Sequence, residues 1–478
     1  MNQTIIDGAA IQELDEAPTS RFHLKIMFVS GMGFFTDAYD LFVIGVVVSI
    51  LKTRWHLSTN EVSLLSSATL AASAVGAIAF GRIADMVGRK RMYGYEVIIL
   101  AVGAVASAVA PSIAWLVVFR IIVGVGVGGD YPVSATIMSE FAGRRSRGRL
   151  VGLVFAMQAV GLVVGPLVAV LLLHVGLSEG LVWRLLLGLG AVPAVAVFYL
   201  RRRISETPRY LHAARVEEVQ RRRRRRSLTA GWVKLIVTPR LRRWLIGAAL
   251  AWFALDFAYY GNTIASPEII KLLSPTASLQ HSILLTLMIF VLAAVPGYAV
   301  AVLTIDRLGR RAIQLLGFLM MALMFALIGL VPAISASAAP FVIIFGISYF
   351  FTEFGPNVTT FIYPAEIFPV DVRTTAHGIA AAVGKLGAFV GTYLFPQMLS
   401  SWGIRGAEDV AACAALGGLA ISALLLPEPT GRSLEEIGRD GLGAGSTEAG
   451  EGEAASAAGA VAGEPLPDDV AVARAGRA

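Results

Sequence analysis

Twelve long apolar stretches constrain the fold of this chain more than any other feature of its sequence. A helix that crosses about 30 Å of hydrocarbon needs roughly 20 predominantly apolar residues. Twelve stretches come close to that length, at about 24–51, 62–81, 92–110, 114–139, 149–174, 183–200, 243–271, 281–304, 312–332, 340–364, 375–400 and 408–426. Hydrophobic residues make up 56% of the chain and charged residues only 15%, which is too apolar for a soluble protein of this size. The sequence therefore predicts an all-α integral membrane protein with 12 transmembrane helices.

Lys and Arg are concentrated in alternate loops, and this pattern predicts the orientation of the chain. Because cytoplasmic loops carry the excess of Lys and Arg, we expect both termini and the long middle loop to be cytoplasmic. The expected organisation is a cytoplasmic N-terminal segment (1–23), an N-terminal six-helix bundle (24–200), a cytoplasmic basic linker (201–242), a C-terminal six-helix bundle (243–426) and a cytoplasmic, disordered tail (427–478). These features predict a multi-pass protein of the cell (plasma or inner) membrane.

Several other classes of protein are disfavoured. The run from Arg221 to Arg226 contributes to a net charge of +7, but no aromatic residues interleave with it, so we expect contact with anionic lipid and no binding of nucleic acid. The single cysteine, Cys413, excludes an intramolecular disulfide and a cysteine-based metal site, and we expect no cofactor. The N-terminal residues lack a basic region followed by an apolar one, so we expect no cleaved signal peptide.

The sequence contains two related halves. The segment Asp85-Met-Val-Gly-Arg-Lys-Arg91 recurs as Asp306-Arg-Leu-Gly-Arg-Arg311, and a Glu and an Arg recur at an offset of 226, since 366 minus 140 and 373 minus 147 give the same number. Two six-helix halves with pseudo-two-fold symmetry are what a transporter needs if its halves rock about a substrate near the midplane. We expect the charged residues of these loops to form ion pairs that hold an inward gate shut: Asp85, Arg89, Glu140, Arg147, Asp306, Arg310, Glu366 and Arg373.

Five charged residues within the apolar stretches are candidates for function. They are Asp37 and Asp40 in the first stretch, Asp130 in the fourth, Asp256 in the seventh and Lys385 in the eleventh. A charged side chain at a helix centre costs roughly 2.5–3.5 kcal/mol on insertion scales, so each one needs a partner, water or a function. Carboxylates in such positions can bind and release protons, which is the chemistry that proton coupling requires.

The duplication also indicates where polar groups of the two halves meet. Subtracting 226 from 357 pairs Asn357 with Tyr131, and subtracting it from 385 gives position 159, next to Gln158. The two halves thus place polar groups at equivalent depths of the fourth and tenth helices and of the fifth and eleventh. We therefore expect these side chains to face one central site.

The seventh stretch adds Trp252, Asp256 and Tyr260, whose spacing of four residues puts them on one helical stripe. The resulting site would hold one cation, several neutral donors and one carboxylate. A partly protonated oxyanion fits such a site, because its own O–H donates to Asp256 while its oxygens accept from the other groups, Tyr131, Gln158, Trp252, Tyr260, Asn357 and Lys385. Sulfate has no proton to donate at neutral pH and would leave Asp256 unpaired, which predicts its rejection.

Five segments resemble the fungal and plant phosphate:proton symporters of the major facilitator superfamily. They are Gly33-Phe-Phe-Thr-Asp-Ala-Tyr-Asp40, Gly128-Gly-Asp-Tyr-Pro-Val-Ser-Ala135, Trp252-Phe-Ala-Leu-Asp-Phe-Ala-Tyr-Tyr260, Phe354-Gly-Pro-Asn-Val-Thr-Thr-Phe361 and Thr375-Ala-His-Gly-Ile-Ala-Ala-Ala-Val-Gly-Lys385. The resemblance covers roughly residues 28–430. It implies the major facilitator fold and proton-coupled import of inorganic phosphate by alternating access.

The resemblance also implies specific roles for residues. Phosphate ligands would be Tyr131, Gln158, Trp252, Asp256, Tyr260 and Asn357 with Lys385 close by, and the proton path would use Asp37, Asp40 and Asp130. The partners expected are inorganic phosphate, protons and the lipid bilayer, with the monomer as the functional unit. One departure is that the Pro-Gly-Glu of the family is Pro364-Ala-Glu366 here, which leaves room for a changed substrate.

Other functions remain open at this point. Sugar:proton symport would favour several Gln and Asn residues in the cavity and has no evident use for Lys385. Import of an aromatic or dicarboxylic acid would call for a roomier pocket with an arginine clamp. A transport-inactive sensor would not need the coupling carboxylates. An enzyme is not expected, because His377, the one histidine placed near the site, has no nucleophile or metal-ligand cluster around it.

Overall fold

The structure is a computed structural model and describes residues 15–202, 204, 206–211, 230–274, 276 and 278–442. The predictions for the run from Arg221 to Arg226, for the first residues of the N-terminal segment and for the tail after residue 442 lie outside the described residues. Within the described part all regular structure is helical.

Eleven described helices are long and apolar enough to cross a membrane, and the last contains two spans. That helix, Arg373–Leu425, is broken at Gly403, whose φ of 68° lies in the left-handed region. We number the spans α1 (Arg21–Arg54), α2 (Thr59–Val87), α3 (Arg89–Ala108), α4 (Ile113–Phe141), α5 (Arg147–His174), α6 (Glu179–Arg201), α7 (Pro239–Leu273), α8 (Leu279–Leu308), α9 (Arg310–Leu330), α10 (Ala338–Ile367), α11 (373–402) and α12 (404–425). The predicted twelve-helix fold is confirmed.

The observed helices extend a few residues beyond most of the predicted stretches. The fourth stretch was predicted at 114–139, and α4 runs over Ile113–Phe141. Hydropathy detects only the apolar middle of a span, whereas the helix continues into polar residues at its ends. Two shorter helices, Ala230–Val237 and Leu434–Leu442, lie outside the numbered spans.

Because α1 begins and α12 ends on the same side of the bundle, we call that side the terminal face and the other side the opposite face. The two halves meet mainly through α2 against α11 and α5 against α8. Glycine allows the α2–α11 approach, since a Cβ at Gly81 would lie 2.7 Å from the Thr374 carbonyl oxygen and 3.0 Å from the Gly378 Cα. The halves are therefore in close contact near the terminal face.

One irregular segment of α10 matters for the site. Residues Glu353–Asn357 form a wider, π-helical turn, in which Gly355 has non-helical angles (φ −102°, ψ −110°) and is followed by Pro356. Proline has no N–H to donate and its ring clashes with the preceding turn, so the helix must widen here. The widened turn carries Asn357, one of the predicted substrate ligands.

Candidate substrate site

Lys385 is the cation at the centre of the candidate substrate site. It lies on α11 with 1% of its surface exposed. Its ammonium donates to Asp256 Oδ2 at 3.0 Å and to the Tyr260 hydroxyl at 2.8 Å, both on α7. The same ammonium lies 4.5 and 4.4 Å from the ring centroids of Tyr131 and Tyr260, where the negative ring face attracts a cation. Three of the predicted substrate ligands therefore surround Lys385.

Small residues bring α7 and α11 close enough for these contacts. A Cβ at Gly384 would lie 2.6 Å from the Trp252 ring, and one at Gly261 would lie 3.0 Å from the Gly391 carbonyl oxygen. The Trp252 indole also lies beside the Asp256 carboxylate. The predicted stripe of Trp252, Asp256 and Tyr260 thus faces Lys385 along the contact of the two helices.

A second polar group joins the two halves beside the first. The Tyr298 hydroxyl on α8 donates to Gln158 Oε1 on α5 at 2.7 Å, and Asn357 Nδ2 on α10 donates to the Tyr298 hydroxyl at 2.8 Å. Asn357 Nδ2 also lies 3.5 Å from Gln158 Oε1. Gln158 Nε2 is buried and has no hydrogen-bond partner, so this group has a donor to spare for a ligand. Tyr298 was not among the predicted residues.

Aromatic rings close the site on both sides. Towards the opposite face, Phe42 of α1 stacks on Tyr260 at 5.4 Å between ring centroids. Towards the terminal face, Phe155 of α5 stacks on Phe361 of α10 at 4.5 Å, and Phe34 lies 4.9 Å from Phe361. Each contact joins one half to the other. The polar side chains of the candidate site therefore contact one another, and aromatic rings cover them on both sides.

Asp40 of α1 is balanced by an arginine that the sequence reasoning overlooked. Arg120 of α4 lies 2.8 Å from Asp40 Oδ2, donates to the Asp40 carbonyl oxygen at 3.0 Å and donates to Thr69 Oγ1 at 3.0 Å. Arg120 and Asp40 are both 0% exposed. Because all of these bonds lie within the N-terminal half, Arg120 does not act as a clamp on a ligand between the halves.

Asp130 of α4 is part of a buried cluster with two further charged residues. Arg201 at the end of α6 lies 2.8 Å from Asp130 and 2.5 Å from Glu96 Oε1 on α3. Asp37 of α1 lines the same narrow gap as Glu96 and Asp130. Asp37 Oδ2 is buried without a hydrogen-bond partner. Of the three predicted proton-coupling carboxylates, Asp37 is thus the one that no described arginine or lysine directly balances.

At the terminal face, the repeated acidic residues cap helices of the other half. Asp85 Oδ2 accepts from the backbone N–H and hydroxyl of Thr375, both at 2.6 Å, at the start of α11. Asp306 Oδ2 accepts from the Arg149 N–H at 2.9 Å, at the start of α5. Since 375 minus 149 gives the offset of 226, the two caps are related by the repeat. A carboxylate at a helix N-terminus is favourable, so these caps hold the halves together.

Each capping aspartate also pairs with the arginine four residues later. The distances are 3.0 Å for Asp85 with Arg89 and 3.0 Å for Asp306 with Arg310. The glycine between them, Gly88 or Gly309, has a φ of 105° or 88°, which favours glycine because other residues are strained there. The two copies of the motif therefore form the same local structure, with an Asp–Arg ion pair and a glycine of positive φ in each.

Glu140 and Glu366 are paired, but not with the arginines seven residues later in sequence. Glu140 lies 3.2 Å from Arg89 and 3.2 Å from Arg373 of the other half, and Glu366 lies 2.8 Å from Arg310. Arg147 donates instead to the Arg432 carbonyl oxygen at 3.2 Å and lies 3.9 Å from Asp15. All eight predicted gate residues therefore lie in one region of the terminal face.

The helix Leu434–Leu442 covers this region. Arg209 donates to Glu435 at 3.0 Å and to Asp15 at 2.5 Å. Burial favours the neutral form of Glu435, but Arg209 and Arg373 outweigh it and lower the pKa of Glu435 below its usual value. Burial raises the pKa of Asp15. The tail was expected to be disordered from residue 427 onward, whereas its residues Leu434–Leu442 form this helix against the terminal face.

Two further carboxylates inside the spans were missed. Glu353 lies on the widened turn of α10 and Glu408 on α12, and each is 0% exposed. The signal was present in the sequence, because both interrupt apolar stretches and the argument applied to Asp256 applies equally to them.

His377 packs in the bundle and shows no sign of catalytic chemistry. Its Nε2 bonds to the Phe361 carbonyl oxygen at 3.0 Å, and its ring lies edge-on to Trp252 at 5.6 Å. Among the described residues, no group of three or more His, Cys, Asp or Glu side chains could hold a metal ion.

Two related bundles of helices, with polar groups from both facing one buried site and paired charges closing one end, define a membrane transporter of the alternating-access type. The chain belongs to the family described as sugar (and other) transporter, whose pattern it matches over residues 26–440. It is a transporter and not an enzyme, and its fold is that of the MFS (major facilitator superfamily).

Curated relatives of similar length support this membership. The chain is 34% identical to low affinity inorganic phosphate transporter 4 of Lotus japonicus, over 90% of this chain and 94% of the relative. It is 33% identical to inorganic phosphate transporter 1-11 of Oryza sativa subsp. japonica, over 91% of this chain and 90% of the relative.

Solved structures agree on the fold. The proton:xylose symporter XylE bound to 6-bromo-6-deoxy-D-glucose superposes with a TM-score of 0.75 at 21% identity, covering 87% of this chain and 98% of that one. The inward-open form of XylE from E. coli gives a TM-score of 0.63 at 21% identity, covering 87% and 99%.

Proposed function

We propose that this protein imports inorganic phosphate together with protons by alternating access. The observation that carries the proposal is the position of Lys385, a buried cation between Asp256 and Tyr260 with Tyr131 of the other half over it. A fixed cation with neutral donors binds a small oxyanion. The names of the curated relatives, which are inorganic phosphate transporters, point to the same substrate.

Asp256 selects a protonated anion. A carboxylate beside the substrate repels a fully ionised anion but accepts a hydrogen bond from an anion that still has an O–H. Phosphate near neutral pH has such an O–H and sulfate does not. Tyr131, Gln158, Trp252, Tyr260 and Asn357 supply the remaining hydrogen bonds, and the unpaired Nε2 of Gln158 is free to donate.

Asp37 carries a proton in the N-terminal half. It is buried, one of its oxygens has no hydrogen-bond partner, and it lines one gap with Asp130. Asp130 pairs with Arg201 and Asp40 pairs with Arg120. These two aspartates are therefore part of the proton path but do not themselves carry the transported proton. Proton binding to Asp37 removes an uncompensated buried charge and thereby favours the occluded, substrate-loaded state.

The terminal face is the cytoplasmic gate. The caps formed by Asp85 and Asp306 and the cross-half pair of Glu140 and Arg373 break when the gate opens inward. The protein resides in the plasma or inner membrane with both termini in the cytoplasm. It works as a monomer, because site and gate are completed by the two halves of one chain.

Exchange of substrates across liposome membranes tests the assignment of the substrate. Purified protein loaded with unlabelled phosphate, sulfate or glucose would be assayed for uptake of the same labelled solute. We expect phosphate exchange only, and a loss of at least tenfold in Asp256→Asn, since a charge-assisted hydrogen bond contributes about 1.5–3 kcal/mol. Exchange of sulfate or glucose in place of phosphate, by protein that elutes as a single folded species, would refute the assignment.

A further inference from the structure

Glu353 is a buried carboxylate without a cation beside the candidate substrate site. It is 0% exposed and lies on the widened turn of α10. It forms no ion pair with any lysine or arginine among the described residues, and its Oε1 has no hydrogen-bond partner. A buried carboxylate in a membrane span without a cation is unfavourable when ionised, so Glu353 is a residue that needs either a proton or a function.

Its neighbours connect Glu353 directly to the predicted phosphate ligands. Asn357, one turn further along α10, donates through Nδ2 to Glu353 Oε2. Tyr298 of α8, which also bonds Gln158 and Asn357, faces Glu353. Gly297 makes this approach possible, since a Cβ there would lie 3.0 Å from the Glu353 Cβ.

The other groups around Glu353 are uncharged or acidic. Tyr259 of α7 is buried and lies beside it. Tyr349 lies on the same helix, and Asp256 is near enough for the two negative charges to repel each other. Lys385 is already balanced by Asp256. An ionised Glu353 would therefore leave the empty site with one net negative charge.

An anion cannot enter such a site favourably unless that negative charge is removed. Protonation of Glu353 is the direct way to remove it, because no cation among the described residues pairs with this carboxylate. On the basis of the proposed phosphate transport, we propose that Glu353 is a second proton carrier, in the C-terminal half, which takes up one proton when phosphate binds from outside and releases it when phosphate leaves to the inside.

The chain would then carry two protons with each dihydrogen phosphate, one on Asp37 and one on Glu353. Each half thus has one buried carboxylate near the candidate site that forms no ion pair among the described residues, Asp37 in one half and Glu353 in the other. The nearby carboxylates Asp40, Asp130 and Asp256 each pair with an arginine or a lysine. The proton on Glu353 comes from the outer solution and goes to the inner one, and no other bond is made or broken. Import of an anion with two protons moves one net positive charge inward and uses the membrane potential as well as the pH gradient.

The test measures the phosphate concentration ratio across a liposome membrane at which a known pH difference gives no net phosphate flux. The membrane potential is clamped at zero during the measurement. Two protons per dihydrogen phosphate balance an about 100-fold concentration ratio for each unit of pH difference, and one proton balances about tenfold. We expect about 100-fold for the wild type and about tenfold for Glu353→Gln. Glu353→Asn is a second neutral variant in case Gln at this position does not fold.

Glu408→Gln is the matched control. Glu408 is equally buried, and its Oε1 has no hydrogen-bond partner. Its Oε2 accepts from Asn262 Nδ2 at 3.4 Å and has no recorded hydrogen bond to a predicted phosphate ligand in the described part of the chain, so the Glu408 variant should keep the wild-type ratio. Equal ratios for the wild type and Glu353→Gln would overturn the inference. Loss of phosphate exchange in both neutral variants would also overturn it, because a neutral side chain imitates the state that binds phosphate. Absence of phosphate exchange in the wild type would instead refute the proposed function.

Discussion

The ammonium of Lys385 lies 3.0 Å from Asp256 Oδ2, and this buried pair joins α11 to α7 at the centre of the candidate site. Neither side chain is more than 2% exposed. In a buried pair, removal of one partner leaves a charge without compensation, whereas removal of both leaves none. Stability and substrate binding therefore respond differently to changes at these two residues.

The pair predicts that stability and transport can be separated. Lys385→Met should lower the free energy of unfolding by about 3–5 kcal/mol because Asp256 is left unpaired. Adding Asp256→Asn should restore most of that loss, while phosphate exchange stays absent in both variants. Thermal unfolding in detergent and phosphate exchange in liposomes measure the two effects. A double variant as unstable as Lys385→Met would contradict this account of the pair.

Asp37 and Asp40 should behave differently although they lie three residues apart. Asp37→Asn should remain stable and exchange phosphate, but with the membrane potential clamped at zero it should balance only an about tenfold phosphate ratio per unit of pH difference, because Glu353 is then the one remaining proton carrier. Asp40→Asn should lower the unfolding temperature, because Arg120 loses its partner and such a loss costs about 3–5 kcal/mol. Unfolding temperatures and gradient-driven uptake of both variants check this. The reverse assignment of the two effects would show that Asp40 is the carrier.

The repeated caps predict equal effects from the two halves. Asp85→Asn and Asp306→Asn each weaken a carboxylate bond to a helix start of the other half, at a loss of about 1.5–3 kcal/mol. Each should therefore raise the population open at the terminal face at least tenfold. The readout is alkylation of Ala382→Cys, one turn before Lys385, in a Cys413→Ser background, since Cys413 is exposed. Unchanged labelling in both variants would mean that the caps do not hold the gate.

Two adjacent glycines of α12 provide a matched test of helix packing. A Cβ at Gly418 would collide with the Phe318 ring of α9, whereas a Cβ at Gly417 would meet nothing within 4 Å. Gly418→Ala should destabilise the protein by about 1–3 kcal/mol. Gly417→Ala should leave stability unchanged or raise it by up to about 1 kcal/mol, because alanine favours a helix. The unfolding temperature should therefore fall in Gly418→Ala and stay the same or rise in Gly417→Ala, and an equal fall in both variants would contradict this account of the packing.

The twelve spans could be predicted because hydropathy along the chain determines them. The repeat could be predicted because its two copies can be compared directly within the sequence. Hydropathy located each span to within several residues at its ends. The offset of 226 placed Tyr131, Gln158, Asn357 and Lys385 at related depths, and in the structure these residues do lie around the meeting point of the halves.

Pairing between distant helices could not be derived in the same way. Arg120 with Asp40 and Glu140 with Arg373 join residues 80 and 233 positions apart, and sequence spacing contains no information about such contacts. Glu353 could have been predicted from the sequence, because it is a carboxylate inside an apolar stretch, directly before the Phe354-Gly-Pro-Asn357 motif.

Accumulation of phosphate against its own gradient distinguishes proton-coupled import from passive equilibration. Liposomes containing the protein and equal phosphate on both sides would be given an outside-acidic pH step, with and without a protonophore. Proton-coupled import predicts that labelled phosphate accumulates above the outside concentration and that the protonophore abolishes this accumulation. If phosphate only equilibrates, at the same level with and without the pH step, the protein is a uniporter and the proposed proton coupling is wrong.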